Sequence, residues 1–306
     1  MRAAFSKALV DLAKADAKVV LLTGDHGYAL FDDFRRECPD QYINAGIAEQ
    51  NMVGMAAGLA RTGFRPIVYG LSAFIPIRVL EQIKLDVAHD HLPVILIGDG
   101  AGFVYSHLGT SHQSTEDIAC SRAIPNLQVF SPADAAEMTL CMNAAYQAHA
   151  SVYLRVGKSD LGAVHADVPA AKAGELLQLK RGDSNGLSFI ATGSLVRCAL
   201  DIAKTSHLGA SVWSVPFIKP IDESQIADIC KNSRAVITFE EHSIHGGLGS
   251  LVAEIASEHA PVRVLRIGVK DRFSEHCGTY NYLLKEHGLD RNAIETQLLA
   301  FQPNRD

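Results

Sequence analysis

Short runs of β-branched and aliphatic residues alternate with longer helical patterns along the whole of this chain. Val19-Val20-Leu21-Leu22 comes first, then an apolar helical stretch to about Ala60, Pro66-Ile67-Val68-Tyr69, a helix from about Phe74 to Ala88, and Pro93-Val94-Ile95-Leu96-Ile97. The rhythm continues through Leu127-Gln128-Val129-Phe130, a helix from about Ala133 to Ala148, and Val152-Tyr153-Leu154. A strand apolar at successive positions has no face left for water, so helices must cover both sides of its sheet. Such alternation predicts a mostly parallel sheet. Between 161 and 186 the rhythm is lost in mixed Gly, Pro, Ala and charge, which reads as a linker. A second series runs from Leu187-Ser188-Phe189-Ile190 through Ser211-Val212-Trp213 and Ala235-Val236-Ile237-Thr238 to Val262-Arg263-Val264-Leu265. The expected fold is therefore two consecutive α/β domains, residues 1–160 and 187–306, a division that 306 residues with 48% hydrophobic content can support.

A formal charge of -6 with no basic run argues against a nucleic-acid or anionic-membrane surface. No stretch is long and apolar enough to span a bilayer, and the N-terminus lacks a signal-peptide plan, so the expectation is a soluble, cytoplasmic protein. Cys38, Cys120, Cys141, Cys198, Cys230 and Cys277 are scattered without a Cys-x-x-Cys pair, indicating reduced thiols rather than a zinc site or a disulfide framework.

Gly46-Ile47-Ala48-Glu49-Gln50-Asn51 places one carboxylate at the mouth of a helix that is apolar around most of its circumference. Such a helix is a buried helix. Gly54 and Gly58 cost helix propensity and imply that another element approaches closely. Taken alone, Glu49 reads as a first-turn charge complementing the helix dipole.

This segment, with Met-Val-Gly-Met-Ala-Ala-Gly-Leu-Ala after it, resembles the pyrimidine-binding domain of thiamine-diphosphate enzymes of the transketolase group. The resemblance implies that Glu49 hydrogen-bonds the cofactor's aminopyrimidine and activates the thiazolium carbon. It implies that Phe74, in Tyr69-Gly70-Leu71-Ser72-Ala73-Phe74, stacks on that ring, with Ile77 where many relatives have a second aromatic and Asp25 also on the cofactor side. Without it, Phe74 reads as an ordinary core residue. Thr110-Ser111-His112-Gln113, followed by Glu116-Asp117-Ile118-Ala119, is similar to the loop whose histidine reaches the substrate oxygens, a role that falls to His112. An imidazole suits proton transfer near neutral pH. The resemblance also implies that Arg155 and Arg2 bind a distal phosphate, for which guanidinium forks are suited. His26 and Lys158 join them as substrate-facing candidates, and Arg2 reads equally as an exposed terminal charge.

Departures from the family pattern fall at Leu108, where relatives have an aspartate, at Gly100, where others have a histidine, and at Ala29, where others have a serine. A site with fewer polar contacts suits a deoxygenated, branched or otherwise unusual sugar. Gly98-Asp99-Gly100 and Asn126 imitate a magnesium-diphosphate motif in the wrong domain and read as coincidence. His89-Asp90-His91 and Glu241-His242 with His245 read as structural rather than as metal sites.

The resemblance covers the last two thirds of a full transketolase, so the chain is expected to be the small subunit of a split enzyme. The implied partner is a large subunit holding the diphosphate and its Mg2+ (or Ca2+), in an α2β2 heterotetramer with the Glu49 helix near the central interface. The implied reaction moves a two-carbon ketol unit from a ketose to an aldose, on small-molecule sugars. Competing readings are the beta subunit of a 2-oxo-acid dehydrogenase, a deoxyxylulose-phosphate synthase, and a non-catalytic interaction subunit.

Overall fold

The computed structural model describes residues 1–27, 29–158 and 160–301. Helix α1 (Arg2–Ala15) leads into β1 (Val19–Thr23), α2 (Asp32–Glu37), β2 (Tyr42–Asn44), α3 (Glu49–Arg61), β3 (Arg65–Leu71) and a short α4 (Leu80–Gln82). Then come β4 (Ile95–Asp99), α5 (Asp117–Arg122), β5 (Leu127–Phe130), α6 (Ala135–Gln147) and β6 (Ser151–Val156). The second half runs β7 (Leu177–Lys180), β8 (Leu187–Ala191), α7 (Leu195–Thr205), β9 (Ser211–Ser214), β10 (Phe217–Lys219) and α8 (Glu223–Lys231). It ends with β11 (Ala235–Ser243), α9 (Leu248–His259), β12 (Arg263–Val269), α10 (Tyr280–Glu286) and α11 (Arg291–Ala300).

The strands form a seven-stranded sheet, β10-β5-β6-β4-β3-β1-β2, and a five-stranded sheet, β12-β11-β8-β9-β7. Both are parallel except for an antiparallel edge strand, β10 on the first and β7 on the second. Alternation along the strands divides the first sheet's side chains between two cores, as expected of strands apolar on both faces. Val19, Leu21, Ile67 and Ile97 pack with Phe5 and Leu9 of α1 and Met138 and Met142 of α6. Val20, Leu22, Val68 and Leu96 pack with Met52, Val53 and Ala56 of α3, in a core that continues to Ile226 of α8 and Val252 of α9. The two domains therefore share one core on the α3 side.

Three expectations are revised. The 161–186 linker ends in β7, because Leu177 and Leu179 alternate with polar residues and suit an edge strand against β9. The domain division is not a hinge either. Strand β10 leaves the second domain to close the first sheet, and Lys219 Nζ donates to the carbonyls of Arg122 and Ile124 at 3.0 and 2.5 Å. The single helix expected over 74–88 is a 3-10 turn at Ile77–Val79, one turn of α-helix, and a π-helical segment at Ile83–Ala88. Pro76, which has no N–H to donate, sits in its first turn.

Helix α3 is buried on one face only within this chain. Glu49, Met52, Val53, Ala56, Ala57 and Ala60 are inside, while Gln50, Asn51, Gly54 and Gly58 are exposed. A Cβ added at Gly54 or Gly58 would meet nothing within 4 Å. The close approach those glycines imply is made by no described element of this chain, so the face is open to another. Among the described residues no helix is long and apolar enough to cross a membrane.

Gly58→Leu separates the two roles of this helix. The isolated chain is expected to melt no lower than wild type, since Gly costs about 1 kcal/mol in a helix interior and the site is roomy. Assembly into larger species, measured by sedimentation velocity, is expected to weaken at least ten-fold in affinity.

Candidate active site

The sequence-predicted residues gather at the C-terminal edge of the first sheet, where open parallel sheets place their ligands. The turn after β1 carries Asp25 and Ala29 at positive φ, 59° and 58°, a conformation that non-glycine residues hold only when their surroundings impose it. Part of that imposition is Asn44, whose Oδ1 accepts from the Asp25 and Gly46 amides at 3.2 and 3.0 Å. His26 Nδ1 lies 2.5 Å from the Gly24 carbonyl, which makes it the donor and leaves Nε2, buried and without a partner, as an acceptor.

Glu49 opens α3 and is 4% exposed. Its Oε2 accepts from Arg78 Nη1 at 3.0 Å. The Arg78 guanidinium in turn lies over the Phe74 ring, 3.9 Å from its centroid. The His112 ring meets Phe74 edge-on at 5.4 Å, and His112 Nδ1 is 2.9 Å from Ser111 Oγ, so Nε2 is the nitrogen placed for exchange. Glu49, Arg78, Phe74 and His112 thus form one continuous row drawn from four points of the chain. Ile77, half-buried, lies in the turn beside Arg78.

On the other side of the cleft, Arg2 is half-exposed, with Nη2 3.6 Å from Asp99 Oδ2. Tyr105 donates to the same oxygen at 2.7 Å. Burial and the Asp99 charge push the Tyr105 phenol upward, so it stays a donor. Asp99 closes β4 at the C-terminal edge, whereas Asn126 precedes β5 at the opposite edge. A strand of this length puts roughly 15 Å between them, too far to share one cation. Gly100 has φ +79°, and a Cβ there would strike the Tyr105 ring, which explains why no larger residue occupies that position.

Arg155 and Lys158 are turned away from the mouth. Arg155 is 1% exposed. Its Nε donates to Asp117 Oδ2 at 2.8 Å and its Nη2 to the Glu241 carbonyl at 2.7 Å. No open face is left for the distal anion expected of it, because strand β6 directs the side chain into the junction between the domains. Burial pushes the Asp117 carboxyl up, but the Arg155 guanidinium outweighs it and holds Asp117 below its ordinary value. Lys158 Nζ pairs with Asp160 at 2.8 Å and lies over the Tyr280 ring.

Tyr153 donates to Asp117 at 2.7 Å, and Ser72 Oγ lies within hydrogen-bond distance of Asp117, Ser114 and Tyr153. Across the junction, Glu241 accepts from the Phe103 amide at 2.6 Å and from Tyr280 at 2.5 Å. Glu240 accepts from the Leu248 and Gly249 amides at the start of α9, and burial still raises it to about 7. His242 donates from Nδ1 to the Ser243 carbonyl at 2.7 Å and accepts at Nε2 from the Ala119 amide at 3.2 Å. Those partners require the neutral ring, in keeping with a value lowered by burial to about 4. The Glu241-His242 pair is thus structural, as its sequence suggested.

Comparison with known proteins bears directly on this arrangement. Residues 1–163 match the family model "Transketolase, pyrimidine binding domain" and residues 174–294 match "Transketolase, C-terminal domain". The chain belongs to the transketolase family. One of the two subunits named for the apulose-4-phosphate transketolase of Phocaeicola vulgatus is 34% identical, covering 98% of this chain and 96% of the relative. A putative transketolase C-terminal section of Methanocaldococcus jannaschii is 37% identical over 98% of this chain and 95% of its own. The 1-deoxy-D-xylulose-5-phosphate synthase of Neisseria gonorrhoeae is 34% identical, but the match spans 47% of that protein. A solved structure described as a split gene transketolase, inactive beta4 tetramer, superimposes with a TM-score of 0.87 at 34% identity, covering 98% of this chain and 96% of that one. The family depends on thiamine diphosphate.

Arg78 and Glu241 are the residues that sequence reasoning missed in this transketolase-type site. Arg78 follows Phe74 by four positions, the interval that brings side chains together on a helix, and that spacing was the available signal. Glu241 gave none, because its partners Phe103 and Tyr280 are remote in sequence.

Removing one member of the buried pair should be costly. Arg155→Met is expected to destabilise the chain by about 3–5 kcal/mol in urea unfolding, since Asp117 is left buried and unpaired, and adding Asp117→Leu should restore part of the loss. His242 sets an acid limb. Its value falls from 6.5 to about 4 on folding, so the stability it supports is whole above pH 6.5 and is lost as the pH drops toward 4. Glu240 acts oppositely, losing its contribution as pH rises from 4.5 toward 7. The difference in unfolding free energy between wild type and His242→Gln is therefore expected to shrink by about 3 kcal/mol from pH 7 to pH 4.

Proposed function

We propose that this chain is the small subunit of a split, thiamine-diphosphate-dependent transketolase, moving a two-carbon ketol unit from a ketose to an aldose. The observation that carries the reading is a buried carboxylate, Glu49, set beside the half-buried ring of Phe74 at the C-terminal edge of a parallel sheet. A planar, delocalised N–H donor fits there, because the Arg78 guanidinium already makes both contacts. End-to-end matches to subunit-length relatives support a partner of similar origin.

In this reading Glu49 accepts a hydrogen bond from the aminopyrimidine edge, and Phe74 holds the ring's face. When bound, the cofactor supplies the nucleophilic carbon that carries the ketol unit. His112, oriented through Ser111, moves protons to and from the sugar hydroxyl at its Nε2. His26 offers an acceptor at Nε2 on the same edge, and Asp25 lies beside it in the strained turn. Arg2, half-exposed at the mouth, grips the distal anion of the substrate. Arg155 has no part in that contact here. The diphosphate and its magnesium or calcium ion belong to the large partner subunit, which docks on the open Gly54 and Gly58 face of α3 in an α2β2 assembly. The exposed Leu108, 55% accessible beside the His112 loop, favours a substrate with one hydroxyl fewer to recognise at that point.

Glu49→Gln in the complex reconstituted with the large subunit tests the reading. Turnover of a ketose phosphate panel is expected to fall at least about 100-fold, with sedimentation of the complex unchanged. Full turnover by that variant sinks Glu49 as the activating carboxylate and leaves the non-catalytic reading in its place.

A further inference from the structure

Arg78 makes two contacts that the proposed cofactor site also needs. Its Nη1 is 3.0 Å from Glu49 Oε2, and its guanidinium carbon is 3.9 Å from the centre of the Phe74 ring. A guanidinium is flat, delocalised and edged with N–H donors. An aminopyrimidine shares these properties. At 3.9 Å the guanidinium lies in van der Waals contact with that face of Phe74, leaving no room for a second flat group between them. His112 meets the same ring edge-on.

We infer that Arg78 is a placeholder for the aminopyrimidine, seated on Glu49 and Phe74 until the cofactor displaces it. The inference rests on the thiamine-diphosphate reading and deepens it. The physical need is clear: Glu49 is 4% exposed, and a carboxylate left alone at that depth is costly. Arg78 supplies the partner while the site awaits its ligand. Its backbone is held, since the Arg78 carbonyl accepts from Gln50 Nε2 at 3.5 Å, the outer limit of such a bond. Its side chain is 44% exposed and has solvent to move into. Release therefore needs only side-chain rotation. The surrounding segment, a 3-10 turn leading toward π-helical backbone, is of a kind that recurs at functional sites.

The consequence is a trade between stability without cofactor and affinity for it. A pre-existing ion pair and a cation–π contact must be broken before the ring can bind, which reduces apparent affinity. Arg78 acts here as a positioning residue through Glu49.

The test uses the full chain reconstituted with its large subunit, and titrates thiamine diphosphate with magnesium by calorimetry for wild type, Arg78→Gln and Arg78→Lys. Arg78→Gln is expected to bind about ten-fold more tightly and to melt at a lower temperature without cofactor, so that the shift in melting temperature on cofactor binding widens. Arg78→Lys keeps the charge near Glu49 but not the flat stack, and is expected to fall between the two. Unchanged or weaker binding by Arg78→Gln, with wild type binding normally, overturns the placeholder and leaves the wider reading intact. A wild-type complex that binds no thiamine diphosphate overturns both.

Discussion

The buried ion pair between Arg155 and Asp117 is the contact on which the rest of this molecule turns. Both side chains are withdrawn from water, and the pair is tolerable only because every neighbouring polar group is recruited to it. Asp117 also takes the Tyr153 hydroxyl and reaches Ser72, while Arg155 reaches the Glu241 carbonyl on the second sheet. Ser72 stands two residues before Phe74, and Ser114, bonded to it at 2.8 Å, stands two residues after His112. One carboxylate therefore fixes both the aromatic platform and the histidine loop. The same cluster ties the domains together, through Glu241 onto the Phe103 amide and His242 onto the Ala119 amide. Gly102 shows how tight this joint is, since a Cβ there would strike the Glu241 carboxylate.

The mouth of the site is built on different terms. Asp25, Ala29 and Gly46 hold left-handed backbone around an asparagine side chain, and Arg2, Leu108 and Arg78 face solvent. A rigid buried joint thus supports a strained, half-open rim. This division suits a subunit whose cofactor is to be shared with another chain, because the parts that must not move are internal to this chain and the parts that must meet a partner are left unsatisfied. The open glycine face of α3 belongs to the second class. Glycine costs a helix stability for no return inside this chain, which is why an external partner is the natural explanation.

Much of the fold was legible in the residues because parallel sheets leave a plain trace. Strands buried on both faces, such as Val19-Val20-Leu21-Leu22, are apolar at every position, and the helices between them keep their own period. Glu49, Phe74 and His112 were legible for another reason: each lies in a run of residues that resembles a known family. Less legible were the edges. Strand β7 was hidden in a polar stretch because an edge strand needs only alternate apolar residues, and the π-helical turn after Gln82 has no distinct composition.

Sequence by itself determined that this chain builds two parallel-sheet layers and carries one buried carboxylate at a helix start, since periodicity and local motif are properties of neighbouring residues. Tertiary structure alone decided where the arginines point. Arg155 ends an apolar strand, and nothing local says whether its guanidinium faces the cleft or the domain joint; Asp117 and Glu241, distant in the chain, settle it. Arg78 joined Glu49 only because α3 and the turn after β3 pack side by side. Long-range electrostatic pairing depends on which elements become neighbours, and that is fixed by the packing of the whole fold rather than by any one segment of it.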